Sequence, residues 1–314
     1  MDLYLEWIKF YEWTLEFADP RVADWPLIYS PFPTIAIVAL YFLVIFYIGP
    51  KFMKNRSPVD FGLFLPAYNF ALVALNYYIV QQALTGSYNA GYSYVCTPLR
   101  KDSYDPNEMK VANAIWWYYC SKIIELLDTV LFVLRKNTRQ LTFLHVYHHS
   151  TMPLLWWIGA KWVPGGQSFV GVMLNSSVHV VMYSYYGLAA LGPKVQKYLW
   201  WKRYITMLQL SQFCVAIYHT SMSLYVKCPS PVWMHWALIA YAISLIVLFG
   251  NFYMKAYIKR SKKPDMKKSN ELKVNGDSRK LSWSNIVEQE MENDESSLRK
   301  RTKNGKVISN GNTP

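Results

Sequence analysis

The sequence is poor in charged residues, and this scarcity limits the kind of protein it encodes. Only 17% of its 314 residues are charged, against roughly 25% in a typical soluble protein. Hydrophobic residues make up 53% of the chain and gather in long apolar runs, which excludes an ordinary soluble domain and indicates a bilayer. The net charge of +13 lies in short loops and a polar tail. That distribution is typical of a membrane protein, so no nucleic-acid partner is predicted.

Histidine is also scarce, with six residues in the whole chain. Three of them, His145, His148 and His149, form a single HxxHH box. Membrane di-iron desaturases and hydroxylases use such boxes, but they draw histidine ligands from several of them. We therefore predict no metal or other cofactor, and keep a di-iron desaturase or hydroxylase as the alternative enzyme. The number of histidines alone does not exclude a single zinc ion bound by this box, although no carboxylate on that helix completes a ligand pattern.

Seven apolar segments are long enough to cross about 30 Å of hydrocarbon as helices. They cover residues 29–48, 62–84, 111–134, 143–163, 169–191, 204–226 and 232–257. The predicted fold is therefore an all-α membrane protein with seven transmembrane helices. Residues 1–28 are predicted to be a lumenal segment with a short interfacial helix, and residues 29–260 the seven-span domain. Residues 261–314 are rich in Lys, Asn, Ser and Glu and predict a disordered tail.

Lysine and arginine set the orientation. They concentrate in the first, third and fifth loops and at the start of the tail, whereas the N-terminal segment is acidic. The positive-inside rule then predicts a cytosolic C-terminus and an N-terminus on the other side of the membrane. An odd number of spans agrees with this arrangement.

Two groups of polar residues within predicted spans indicate a reaction site. The histidine box falls on one helical face, and three such residues in hydrocarbon require a polar cavity. The fifth span places Asn175, His179, Tyr183 and Tyr186 on one face. Two structural alternatives exist. The histidine box could contact lipid headgroups, and the polar face of the fifth span could form ordinary hydrogen bonds between helices. The two groups together favour a site.

Further polar residues are predicted to form a supporting network. Lys122, Glu125 and Asp128 lie in the third span, and Lys122 and Glu125 have the spacing of an ion pair. Gln209 and Gln212 lie in the sixth span. Three ionisable residues in one span suggest function, although a purely structural network is equally open. His219 is interpreted as structural.

Acyl transfer is the metal-free chemistry that suits these groups. Neutral imidazole is a competent nucleophile and base near pH 7. Decarboxylation of malonyl-CoA would supply a carbanion without a strong base. The imidazole N–H groups, the Asn175 amide and the Tyr183 hydroxyl could stabilise the oxyanion that develops. The competing mechanism joins two bound CoA esters directly, with the histidines acting only as acid, base or hydrogen-bond donors.

Four motifs, in order, resemble the family of elongases of very long chain fatty acids, the ELOVL proteins. They are a KxxExxDT motif beginning at Lys122, the HxxHH box beginning at His145, an NxxxHxxMYxYY motif beginning at Asn175 and a TxxQxxQ motif beginning at Thr206. The resemblance covers roughly residues 20–260. Details near Trp200 and Trp233 look most like the type-four branch of that family.

The resemblance implies a very-long-chain 3-oxoacyl-CoA synthase of the endoplasmic reticulum membrane. Such an enzyme condenses acyl-CoA with malonyl-CoA and works with reductase and dehydratase partners, alone or as a homo- or hetero-oligomer. The resemblance implies seven helices, six of them forming a closed bundle around an acyl-chain tunnel. It places the residues matching His148 and His179 at the reacting centre, and from these we expect His148 to form an acyl-imidazole.

The four cysteines divide into two pairs by position. Cys96 follows the second span and Cys228 the sixth, so both are expected in the oxidising lumen, where a disulfide is favoured. A disulfide at the matching position is also what the resemblance implies. Cys120 and Cys214 lie within spans and are interpreted as buried small hydrophobes.

A non-enzymatic seven-span receptor or transporter would explain the spans but not the histidine box beside His179.

Overall fold

The computed structural model describes residues 2–137 and 140–258, and every regular element within them is helical. The predicted tail, 261–314, lies outside the described residues. The α-helices are α1 Asp2–Glu16, α2 Phe32–Leu43, α3 Gly49–Met53, α4 Phe64–Asn89, α5 Pro106–Ile124, α6 Leu126–Leu134, α7 Phe143–Trp162, α8 Ser168–Ala190, α9 Pro193–Gln196, α10 Lys202–Tyr225 and α11 Val232–Tyr253. A π-helical turn, Val44–Ile48, joins α2 to α3, and another, Met254–Ile258, extends α11.

Each of the seven predicted apolar segments lies on a long helix, and one of these helices is interrupted. The segment predicted at 111–134 divides into α5 and α6 at Glu125. By length and composition, two of the described helices are apolar enough to cross a membrane, Phe32–Met53 and Val232–Ile258. The other long helices carry more polar residues, and several of these lie in the region described below.

Six helices contact one another in a closed cycle. Around the cycle, α4 packs against α8, α8 against α10, α10 against α11, α11 against α7, α7 against α5, and α5 against α4. Outside the cycle, α2 packs against α7, while α3 packs against α6. The main apolar core lies where α5, α7 and α8 meet and includes Tyr118, Tyr119, Trp157 and Phe169, all buried.

The connections after α4, α7 and α10 meet at one end of the bundle. Cys96 and Cys228 form a disulfide whose Cα atoms are 5.5 Å apart. Beside it, the Gln167 side-chain amide donates to the Val95 carbonyl at 2.6 Å. Three loops that are distant in sequence are therefore joined, and α4, α7 and α10 all end at this side.

The N-terminal segment covers the same end of the bundle. Val22 and Ile28 are almost completely buried in the core formed by α5 and α7. The Lys161 ammonium donates to the Ile28 carbonyl at 3.1 Å, and the Trp157 indole N–H donates to the Leu27 carbonyl at 3.0 Å. Trp162 likewise donates to the Thr14 carbonyl of α1 at 2.8 Å. Residues near the end of the predicted 1–28 segment are thus packed into the bundle.

A buried ion pair strengthens this attachment. Arg21 and Asp19 lie 2.8 Å apart with fully buried side chains, and Arg21 also donates to the Ser103 carbonyl at 3.2 Å. Burial alone would lower the pKa of Arg21, but the hydrogen bond and charge of Asp19 outweigh this and raise it. The guanidinium therefore stays charged and binds the N-terminal segment to the loop before α5.

Candidate active site

The histidine box occupies the first turns of α7. Thr142 caps this helix by accepting a hydrogen bond from the His145 backbone amide at 3.2 Å, which starts the helix immediately before the box. The His145 and His149 rings lie with their centroids 4.1 Å apart, and the His148 and His149 rings 5.3 Å apart. The three imidazoles therefore form one compact cluster, as their spacing predicts.

The three histidines differ in what their ring nitrogens contact. His145 Nε2 is hydrogen-bonded to the Thr129 hydroxyl at 2.9 Å, which in turn contacts the Tyr41 hydroxyl at 3.0 Å. His149 is buried between the other two rings. His148 is half-buried, and neither of its ring nitrogens has a hydrogen-bond partner among the described residues. His149 also has no ring-nitrogen partner among the described residues, and His148 is the less buried of these two.

Three contacts connect α5 and α6 with α8, and we call them the polar ladder. They are Tyr118–Asn175, Lys122 and Glu125 with His179, and Asp128–Tyr183. Successive contacts are about one helical turn apart on each side, because α5 and α8 run in the same direction. The polar faces predicted for the third and fifth spans thus face each other.

The middle contact of the ladder is a buried charged triad. Lys122 Nζ lies 2.8 Å and 3.1 Å from the two carboxylate oxygens of Glu125. His179 Nδ1 lies 3.3 Å from Lys122 Nζ and 3.2 Å from Glu125 Oε1. All three side chains are buried. The Lys122 and Glu125 charges compensate each other in a place that would be costly for either alone.

The interruption between α5 and α6 brings these charges together. Glu125 has a ψ of −17°, closer to zero than the α-helical value of about −42°. It is the C-cap of α5 and the N-cap of α6. Lys122 lies in the last turn of α5, where its positive charge interacts favourably with the helix dipole. The KxxExxDT motif therefore spans a helix break, with Lys122 on one side and Asp128 on the other.

The outer contacts of the ladder engage two residues predicted as oxyanion donors. The Tyr118 hydroxyl donates to Asn175 Oδ1 at 2.6 Å, and the Tyr183 hydroxyl donates to Asp128 Oδ2 at 2.7 Å. Asn175 retains its amide N–H groups, whereas the hydroxyl proton of Tyr183 is already used. We therefore reassign Tyr183 from oxyanion donor to hydrogen-bond partner of Asp128.

The histidine box and the polar ladder lie against the same two helices. His145 Nε2 is hydrogen-bonded to Thr129 of α6, and Trp156 of α7 packs on the Tyr118 ring of α5. The box therefore lies beside the ladder. Among the described residues, no group of three or more His, Cys, Asp or Glu side chains is arranged to hold a metal ion.

The two predicted glutamines are not in hydrogen-bond contact with this cluster. Gln209 donates to the Met182 sulfur at 3.3 Å, and the buried Gln212 Oε1 has no hydrogen-bond partner in the described part of the chain. His219 is hydrogen-bonded to the Tyr94 carbonyl at 3.0 Å, beside the disulfide loop. Of the five residues predicted to form the supporting network, Lys122, Glu125 and Asp128 belong to the polar ladder. Gln209 and Gln212 lie on α10 and do not.

Sequence reasoning missed Tyr118 and Thr129 as partners of site residues. Tyr118 lies in a run of four aromatic residues at 116–119, where it resembles its apolar neighbours. One signal was available, since Tyr118 lies four residues before Lys122 and hence on the same helical face. Thr129 is the last residue of the KxxExxDT motif, and spacing along one helix does not reveal that His145 of another helix is its partner.

Comparison with known proteins places the chain among relatives of one kind. A family model described as "ELO: GNS1/SUR4 family" matches residues 26–265. The chain is 57% identical over 269 residues to very long chain fatty acid elongase 4 of Mus musculus, covering 86% of this chain and 84% of the relative. It is 56% identical over 271 residues to very long chain fatty acid elongase 4 of Homo sapiens, covering 86% and 85%. It is 43% identical over 272 residues to very long chain fatty acid elongase 5 of Tachysurus fulvidraco, covering 86% and 91%.

Proposed function

Since the chain belongs to the ELO, GNS1/SUR4, family, we propose that it condenses long-chain or very-long-chain acyl-CoA with malonyl-CoA. The products are 3-oxoacyl-CoA, CO₂ and CoA, which makes the protein a fatty acid elongase of the very-long-chain 3-oxoacyl-CoA synthase type. The observation that carries this proposal is the histidine cluster of α7 beside the buried triad of Lys122, Glu125 and His179. The comparisons do not support a desaturase, a receptor or a transporter.

In the first half-reaction, His148 takes the acyl group. A neutral ring nitrogen attacks the thioester carbonyl, the C–S bond breaks, and the imidazole proton passes to the leaving thiolate, giving an acyl-imidazole and CoA. His148 suits this step because its ring nitrogens are unpaired and half-buried. An acyl-imidazole reacts readily with water, so an enclosed site is required.

In the second half-reaction, malonyl-CoA loses CO₂ and its α-carbon attacks the acyl carbonyl. The C–N bond to His148 breaks, and a proton from solvent restores the neutral imidazole. Both half-reactions pass through an oxyanion, which needs hydrogen-bond donors aimed at the carbonyl oxygen. Asn175 and His179, one turn apart on α8, are the residues that we assign to this role. This scheme requires no metal or cofactor.

We propose seven membrane spans, with the cycle of six helices enclosing the acyl chain. Three observations support this arrangement: the long helices match the seven apolar segments, the six-helix cycle closes, and the loops after α4, α7 and α10 meet at one end. The basic loops then lie at the opposite end, which supports a cytosolic C-terminus and a lumenal N-terminus in the endoplasmic reticulum. Reductase and dehydratase enzymes of the elongation cycle are the partners that its product requires, and a homo- or hetero-oligomer fits this role.

A product assay tests the condensation. Purified protein is given labelled malonyl-CoA and a panel of acyl-CoA chain lengths, and 3-oxoacyl products are identified by mass. We expect products two carbons longer than the acyl donor. His148→Ala should abolish them, whereas His219→Gln, which keeps a donor for the Tyr94 carbonyl, should not. Absence of malonyl-dependent product for every chain length, from folded wild-type protein, would refute the function.

A further inference from the structure

Tyr118 makes a buried contact that connects three helices around the candidate site. Its hydroxyl donates to Asn175 Oδ1 of α8 at 2.6 Å, and its ring packs against Trp156 of α7 with centroids 4.5 Å apart. The Lys122 ammonium lies 4.4 Å from the centroid of the same ring. Tyr118 is only 1% exposed, so its hydroxyl has one fixed direction rather than a choice of partners.

This contact fixes which end of the Asn175 amide is free. A side-chain amide presents an acceptor oxygen at one end and two N–H donors at the other. Because Tyr118 donates to Oδ1, the N–H groups of Nδ2 point elsewhere, and they have no partner among the described residues. Asn175 is only 9% exposed. Nδ2 itself is not fully enclosed, so this donor is open to an acceptor that enters the site.

The free donor lies beside His179. Asn175 and His179 are four residues apart on α8, which brings their side chains together on one face. A group that binds Asn175 Nδ2 must therefore lie next to the His179 ring. The oxyanion formed when a thioester carbonyl is attacked is an acceptor of the required charge.

We propose that Tyr118 is a positioning residue that holds the Asn175 amide with its N–H groups toward the acyl carbonyl. Tyr118 itself does not touch the substrate and acts only through Asn175. The inference rests on the condensing function proposed above and assigns that site a residue which none of its motifs contains. Without the Tyr118 hydroxyl, the amide can rotate and present its oxygen, which repels an oxyanion.

The chain provides a matched control in Tyr119. It is the adjacent residue, is fully buried, and also hydrogen-bonds through its hydroxyl, but to Thr34 of α2. Tyr118→Phe and Tyr119→Phe therefore remove the same group from the same helix at equal burial. A merely structural role would give the two variants similar effects.

The test is a double-mutant cycle on steady-state condensation with Tyr118→Phe, Asn175→Ala and their combination. We expect Asn175→Ala to lower kcat by about 100-fold, as for loss of one oxyanion donor. We expect Tyr118→Phe to lower kcat by about tenfold with the KM for acyl-CoA unchanged. In the Asn175→Ala background, Tyr118→Phe should lower kcat no further, because the amide that Tyr118 positions is absent. Tyr119→Phe should retain wild-type kcat.

Equal losses from Tyr118→Phe in both backgrounds, or a wild-type kcat in that variant, would overturn the inference while leaving the condensing function intact. Loss of the condensing function would instead show as inactive wild-type protein. Asn175→Asp extends the test if Tyr118→Phe fails to fold. It keeps an acceptor for Tyr118 but has no N–H, so we expect the same loss as with alanine. A wild-type kcat in Asn175→Asp would also overturn the inference.

Discussion

At the residue scale, the buried lysine of α5 shows how the site is held together. Lys122 is 1% exposed and contacts both oxygens of Glu125, His179 Nδ1 and the Tyr118 ring. A lysine in this position is tolerated only because a carboxylate compensates its charge. The contact also restrains the His179 ring, whose Nε2 has no hydrogen-bond partner in the described part of the chain.

Removal of Lys122 should therefore destabilise the protein more than removal of the whole pair. Lys122→Met leaves the buried Glu125 carboxylate with the His179 ring as its remaining partner and no permanent positive charge beside it, at a cost of about 3–5 kcal/mol. Lys122→Met combined with Glu125→Gln removes both charges and should recover much of that loss. Thermal unfolding in detergent, followed by fluorescence, measures the difference. A double variant that is less stable than Lys122→Met would contradict this reading.

At the element scale, the helices were predictable and their interruptions were not. Apolar runs at 143–163 and 169–191 predict α7 and α8 closely, because hydrophobic length and helix length agree. The break at Glu125 was missed, since Ile124, Glu125 and Leu126 are all compatible with a continuous helix. The buried Lys122–Glu125 ion pair and its contact with His179, rather than helix propensity, accompany that break. The His179 triad was likewise invisible, because sequence spacing within α5 does not reveal which helix faces it.

Gly49 of α3 packs closely against Val133 of α6. A Cβ at this position would lie 2.6 Å from Val133 Cγ1 and 2.7 Å from the Val44 carbonyl oxygen. Gly49→Ala should therefore destabilise the protein by about 1–3 kcal/mol. Gly171→Ala in α8 is the control, because its Cβ meets nothing within 4 Å and alanine favours a helix. Equal thermal midpoints for the two variants would show that α3 does not pack as described.

At the scale of the whole molecule, the loops and the N-terminal segment close one end of the bundle. The disulfide, the buried Arg21–Asp19 pair and the Lys161 contacts all lie in this region. The basic loops lie at the other end, which we propose faces the cytosol. The proposed seven-span arrangement therefore predicts a molecule closed toward the lumen.

The orientation can be tested in sealed microsomes carrying a C-terminal tag. Protease added outside should remove the tag, because the tail is predicted to be cytosolic. A tag protected until detergent is added would reverse the assignment. An N-terminal tag should behave in the opposite way and serves as the internal control.

The disulfide gives an independent measure of which end is lumenal. Without reductant, a thiol reagent should modify neither Cys96 nor Cys228, and after reduction both should react. Alanine at both positions should lower the thermal midpoint, because the disulfide joins two cysteines 132 residues apart in sequence and so restrains the unfolded chain. Modification of both thiols without reductant would show that the bond does not form in the cell.

The covalent role of His148 is tested most directly by giving purified protein acyl-CoA alone. The acyl-imidazole route predicts a burst of free CoA, no more than one equivalent per active site, and an acyl mass on the peptide that contains His148. His148→Ala should show neither, while His219→Gln should show both. A direct reaction of two bound CoA esters releases no CoA until malonyl-CoA is added. If wild-type protein that is active with malonyl-CoA gives neither a burst nor an acylated histidine, His148 is not the nucleophile.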